Sequence, residues 1–199
     1  MDDLPTTRPA ADAVIDFWFG APGSSERGQA RPEWFRKDAA FDAAITDRFG
    51  PSIEQALRGE LVDWAGEPAS ALAHILLLDQ FTRNAFRGTP RAFAGDRRAL
   101  AMASAMVGAA DDLAVPTYAR GFVYLPFEHA EGLAMQDESL RLFTRLASED
   151  ADQQSMLDYA RKHREVIERF GRFPHRNEIL GRLSTAEETD HLSRPGSGF

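Results

Sequence analysis

The sequence predicts an all-α fold built of antiparallel helix pairs. Three observations carry this expectation. Apolar residues recur three and four positions apart along most of the chain. No stretch alternates apolar and polar residues between hairpin turns, so no strand is expected. Glycines, prolines and capping residues fall where such helices must start and stop. The 199 residues suit one domain over 1–199, with a core spanning about residues 10–192 and a frayed tail over 193–199.

The first helix is expected from about Ala10 to Phe19, stopped by Gly20. Residues 21–32 are rich in Gly, Ser and Pro and read as a loop. Asp38 can cap a second helix that buries Phe41, Ile45 and Phe49 and breaks or kinks at Pro51 before resuming to Gly59. Pro68 suits the first position of a third helix, which carries Leu72, Ile75 and Leu76 on to Asp79. A region from Thr89-Pro90 and Asp96 runs to about Gly108. Pro116 opens a helix through Phe122 and Leu125 that Pro126 interrupts, with helix resuming into Leu140, Phe143 and Leu146. A long helix from about Asp152 to Phe170 ends at Gly171, with the stripe Met156, Tyr159, His163, Val166, Ile167 and Phe170. Thr185 to Glu188 matches a capping box, with Leu183 as its staple.

Composition excludes several functions. Cysteine is absent, which removes thiolate chemistry and Cys-based metal sites. The net charge of -8 argues against nucleic-acid binding, which needs a basic footprint. The most apolar stretch, Ala69 to Leu78, falls well short of the ~20 residues of a membrane span. The acidic N-terminus does not resemble a signal peptide, so a cytoplasmic protein is expected. None of the common phosphate-loop, dinucleotide, metalloprotease, calcium-loop or nucleophile-elbow motifs occurs, nor does the paired Glu-x-x-His spacing of di-iron bundles. No cofactor and no metal are therefore expected.

Polar groups nevertheless interrupt apolar helix faces. Asp79 and Arg83 are four apart and can pair along one face. Phe122 and Leu125 lead to His129, and His163 lies inside the stripe of the long helix. Buried ionisable groups are costly unless paired. Either these groups satisfy one another and set helix register, or they converge with a nearby glutamate, Glu128 or Glu131, on one pocket. In that second case His129, His163, Asp79 and Glu131 are the candidate catalytic acid–base groups.

Arginine concentrates in two segments of this acidic chain. Five arginines face one acid between Phe81 and Arg98, and seven bases face three acids between Arg161 and Arg182. Each segment holds an Arg-Asn pair near phenylalanine, Arg83-Asn84 and Arg176-Asn177. Guanidinium forks beside an amide suit a planar anion. Arg83, Asn84, Arg87, Arg172, Arg176 and Asn177 are the candidate ligand-binding residues.

Several strings together resemble a known bacterial family. They are Val14 to Gly20, Glu33-Trp34-Phe35, Leu77 to Gly88, Ala92 to Asp96, Tyr124 to Glu131 and Phe170 to Asn177. The chain is similar from about Ala11 to Leu192 to domain-of-unknown-function family nine hundred and twenty-four. The resemblance implies a tetratricopeptide-like, right-handed arrangement of helix pairs. It brings no catalytic roles, and the signature residues of true tetratricopeptide repeats are not visible here.

The leading functional expectation is a helical binding domain for a small anionic ligand or acidic peptide, clamped by Arg83 and Arg176. The alternatives are a hydrolytic or general acid–base enzyme using His129 or His163, and a protein-interaction scaffold. The scaffold would expose Trp18, Trp34 or Trp64 in an apolar patch.

Overall fold

In the computed structural model, which describes residues 7–194 and 196, eight helices and short 3-10 turns form an all-α fold, with no strand among the described residues. The helices are α1 (Thr7–Phe19), α2 (Ala39–Arg58), α3 (68–85), α4 (Asp96–Gly108), α5 (Thr117–Glu128), α6 (Leu133–Glu149), α7 (Gln154–Phe170) and α8 (Ala186–Leu192). They pack in pairs: α4 on α5, α5 on α6 and α6 on α7. Most of the expected tail, residues 195 and 197–199, lies outside the described residues.

Helix α3 is the hub. It packs against α1, α2, α4 and α5, and every side chain from Ala71 to Thr82 is buried. A helix covered on all sides reads as apolar throughout, which explains the Ala69 to Leu78 run. No helix among the described residues is long and apolar enough to cross a membrane. Around α3 the aromatic core closes, with Trp18 5.3 Å from Phe81 and 5.6 Å from Phe122 between ring centroids.

Midway, α3 passes through a π turn at Leu77–Phe81. The extra residue in such a turn disturbs the regular ladder and re-aims the side chains around it. The Thr82 hydroxyl donates to the Leu78 carbonyl at 2.8 Å and ties the turn locally. Gly95, just before α4, is the only residue type that fits against this turn. A Cβ there would lie 2.1 Å from the Leu78 carbonyl oxygen, and that oxygen belongs to backbone that cannot swing away.

The expected boundaries hold at several points. The Asp38 carboxylate accepts from Ala40 N and Phe41 N, Gly59 takes the left-handed conformation at the end of α2, and Thr185 and Glu188 form a reciprocal capping box. Four expectations need correction. Pro51 does not break α2 and Pro126 does not break α5, because both helices are buried on either side of the proline and packing outweighs one lost hydrogen bond. Leu183 is 91% exposed and staples nothing; Arg172 and Asn177 hold the α8 cap instead. Tyr159 is half exposed with Lys162 over its ring, so the α7 stripe is narrower than its spacing suggests.

Two outcomes test this packing. Gly95→Ala should lose about 2–3 kcal/mol, several degrees of thermal midpoint, while Gly108→Ala, with open space at its Cβ, should not lose stability. Equal midpoints would contradict the close approach to Leu78. His74 of α3 is buried with no hydrogen-bond partner at either ring nitrogen, and burial, reinforced by Arg98, lowers it from 6.5 to about 4. The unfolded chain therefore protonates first. Stability is full above pH 6.5 and falls as pH drops toward 4, by up to roughly 3 kcal/mol. Urea titrations across this range should show a shallower acid slope in His74→Phe, and an unchanged slope would refute the assignment.

Candidate functional site

The π turn of α3 delivers Asp79 to the middle of a buried polar centre. Its carboxylate, 1% exposed, has three partners. Gln80 Nε2 donates to Oδ2 at 2.6 Å, Arg83 Nη1 lies 3.0 Å from Oδ1, and His129 Nδ1 lies 2.7 Å from Oδ1. The ionised carboxylate can only accept, so His129 carries its proton on Nδ1 and its lone pair on Nε2. Burial alone would raise the pKa of Asp79, but Arg83 and His129 overrule it and hold the carboxyl below the ordinary carboxylate range. Burial and Arg83 lower His129, against the pull of Asp79.

A second carboxylate–imidazole contact lies beside the first. Glu128 ends α5 and His163 is on α7, with Glu128 Oε1 3.0 Å from His163 Nδ1. The same nitrogen lies 2.9 Å from the Tyr159 carbonyl, which can only accept, so Nδ1 again carries the proton. Burial, then the Asp79 charge, pushes Glu128 well above its usual value, while burial and His129 lower His163 to about 3. Both shifts favour neutral forms. The distance alone would pass for an ion pair, but burial works against the charged form of both partners. Glu128 Oε2 is buried and has no hydrogen-bond partner. The two imidazoles meet edge to face, 6.2 Å apart.

Arginines line one side. Arg83 forks onto Asp96 at 2.9 and 3.1 Å, and Arg176 Nη1 reaches the same carboxylate at 3.3 Å. Arg176 sits between the rings of Phe93 and Phe173, 4.7 and 4.6 Å from their centroids. Burial and the neighbouring Arg83 lower it to about 10, which leaves it charged at neutral pH. The least buried members of the centre are His129, Arg83 and Asp96, whose side chains are 14%, 19% and 23% exposed.

The structure thus gathers Asp79, Arg83, His129, His163 and Arg176 from distant parts of the sequence. The other candidates lie elsewhere. Glu131 does not orient a histidine: it is bound by Arg182 at 2.6 and 2.9 Å and accepts from Phe173 N, while Glu128 takes the place beside the rings. Asn84 and Arg87 both engage Asp42 of α2. Arg172 forks onto Glu188, and Asn177 reaches Ser184 and Glu188. The two Arg-Asn pairs do not build one anion clamp, because each asparagine serves a local carboxylate or hydroxyl and Asp96 already fills the space between Arg83 and Arg176. Asp96 and Gln80 are members that spacing missed. The lone acid in an arginine-rich segment was the available signal for Asp96.

Comparison with known proteins agrees with this architecture. A family model described as a bacterial protein of unknown function, DUF924, matches residues 14–196. The solved structure of a protein of unknown function from Agrobacterium tumefaciens is 42% identical, with a TM-score of 0.83, covering 94% of this chain and 98% of that one. None of the curated proteins matches.

Removing the shared acceptor should be costly. Asp79→Ala strands His129 and part of Arg83 in a buried setting and should lose about 3–5 kcal/mol. Arg87→Ala removes a half-exposed pair with Asp42 and should lose less than about 1 kcal/mol. Chemical denaturation of the two variants checks the contrast, and similar losses would mean that Asp79 is not the buried anchor described.

Proposed function

The chain belongs to the bacterial DUF924 family, and on that footing we propose that it is a hydrolytic enzyme. Its reactive centre is formed by Asp79, Glu128, His129 and His163. The observation that carries this reading is the convergence of two carboxylate–imidazole contacts, 2.7 and 3.0 Å, from three helices onto one buried centre. Buried ionisable side chains gathered from several helices onto one point are what acid–base chemistry requires. Asp79 orients the His129 ring, and the Tyr159 carbonyl orients His163.

Arg83 and Arg176 border the centre, and both already hold Asp96, so a small anionic substrate, carboxylate or phosphate, would meet these guanidiniums only by taking the place of the Asp96 carboxylate. A tetratricopeptide-like scaffold has less support. Trp18 and Trp64 are buried, and Trp34 is half-buried and stacks on Trp18 at 6.0 Å, so no tryptophan offers an exposed anchor.

A panel of phosphate monoesters, phosphodiesters, carboxylic esters and acidic dipeptides tests the reading. Turnover of one class is expected, reduced by at least about 100-fold in folded Asp79→Asn and His163→Asn. Absence of turnover for every class, or turnover indifferent to both substitutions, would remove the hydrolytic assignment.

A further inference from the structure

From the same centre we infer that Glu128, His129 and His163 bind a divalent first-row transition-metal ion, with Asp79 and the Tyr159 carbonyl as outer partners. The inference rests on the hydrolytic reading only for its consequence, since the binding site stands on its own geometry. One donor atom from each of the three residues lies within 4.8 Å of the other two. Bonds of about 2.0–2.2 Å at tetrahedral angles place ligand atoms roughly 3.4 Å apart. Glu128 Oε1 lies 3.0 Å from His163 Nδ1, so the Glu128 carboxyl has to turn toward the Nε2 side of the ring to join the two imidazoles on one ion.

Three further observations point to a cation. Each imidazole is held from behind in the manner of metal-binding histidines: His129 Nδ1 by the Asp79 carboxylate at 2.7 Å, and His163 Nδ1 by the Tyr159 carbonyl at 2.9 Å. These contacts set the tautomers, so the lone pair of each ring is on Nε2. Glu128, only 3% exposed, has a carboxylate oxygen with no hydrogen-bond partner, and a buried acceptor in that condition is what a cation satisfies. The donor set itself discriminates. Two imidazoles and one carboxylate suit zinc, iron or manganese, whereas calcium and magnesium favour all-oxygen shells. Three protein ligands also leave a coordination position for water or substrate, as catalytic sites do and closed structural sites do not.

Spacing along the sequence conceals this set. Glu128 and His129 are adjacent, which matches no helical ligand motif. They reach the same point because α5 ends at Glu128 and the chain turns at His129.

The test uses the full chain, treated with a chelator, exchanged into metal-free buffer and titrated with Zn2+ by calorimetry and with Co2+ by visible absorption. One ion per chain is expected, with a saturable ligand-field band for Co2+. Glu128→Gln, which keeps shape but cannot give up a proton to become an anionic ligand, should weaken binding at least tenfold and alter the band. Asp79→Asn should weaken it about 10–100-fold through the His129 ring. Circular dichroism confirms that each variant is folded, and His163→Asn supplies an independent ligand deletion. The site is overturned if the wild-type chain takes up no stoichiometric ion, or if Glu128→Gln and His163→Asn bind as tightly as wild type. The two proposals fail separately. Turnover in a chain that takes up no stoichiometric ion refutes the metal and leaves the hydrolytic assignment standing, whereas a stoichiometric ion with no turnover in the substrate panel does the reverse.

Discussion

A single buried carboxylate organises this protein. Asp79 is almost fully removed from water, and an ionised group in that position is tolerable only when donors surround it. Arg83, Gln80 and His129 supply them. Meeting that requirement ties α3 to the end of α5 and, through Arg83 and Asp96, to the start of α4. Arg176 then joins from the segment after α7. The polar centre and the helix packing are thus two consequences of one electrostatic constraint.

The π turn makes the constraint possible. A regular helix would continue the all-round apolar cover of α3 through this position. The wider turn sets Asp79 toward α5 while Leu78 and Phe81 stay in the core. Gly95 completes the arrangement, since only a residue without Cβ lets the chain entering α4 approach the Leu78 carbonyl and bring Asp96 to Arg83. Local backbone chemistry and long-range charge pairing are coupled here.

Much of this is legible in the sequence. Helical periodicity, the Asp38 cap, the Thr185 capping box and the glycine stops mark the elements because each acts within a few residues. Asp79, Arg83, His129 and His163 stood out as polar groups on apolar faces, which is a local signal. What spacing could not supply was partnership. Glu131 and Glu128 are both three residues or fewer from His129, yet only the fold decides that Arg182 claims Glu131 while Glu128 turns inward. The Arg-Asn pairs misled for the same reason: a fork's preferred partner is an anion, and in an acidic protein the nearest anion is a neighbouring side chain. Pro51 and Pro126 show the opposite limit, where a strong local rule yields to the burial of the whole helix.

The most direct test of the central claim is the protonation state of two imidazoles, read by 15N–1H correlation NMR on histidine-labelled, metal-free protein at neutral pH. The account predicts that His129 and His163 are both neutral with the proton on Nδ1, donated to Asp79 and to the Tyr159 carbonyl respectively. A His129 ring protonated on Nε2 alone would mean that Asp79 does not accept from it, and the organising role given to that carboxylate would be contradicted.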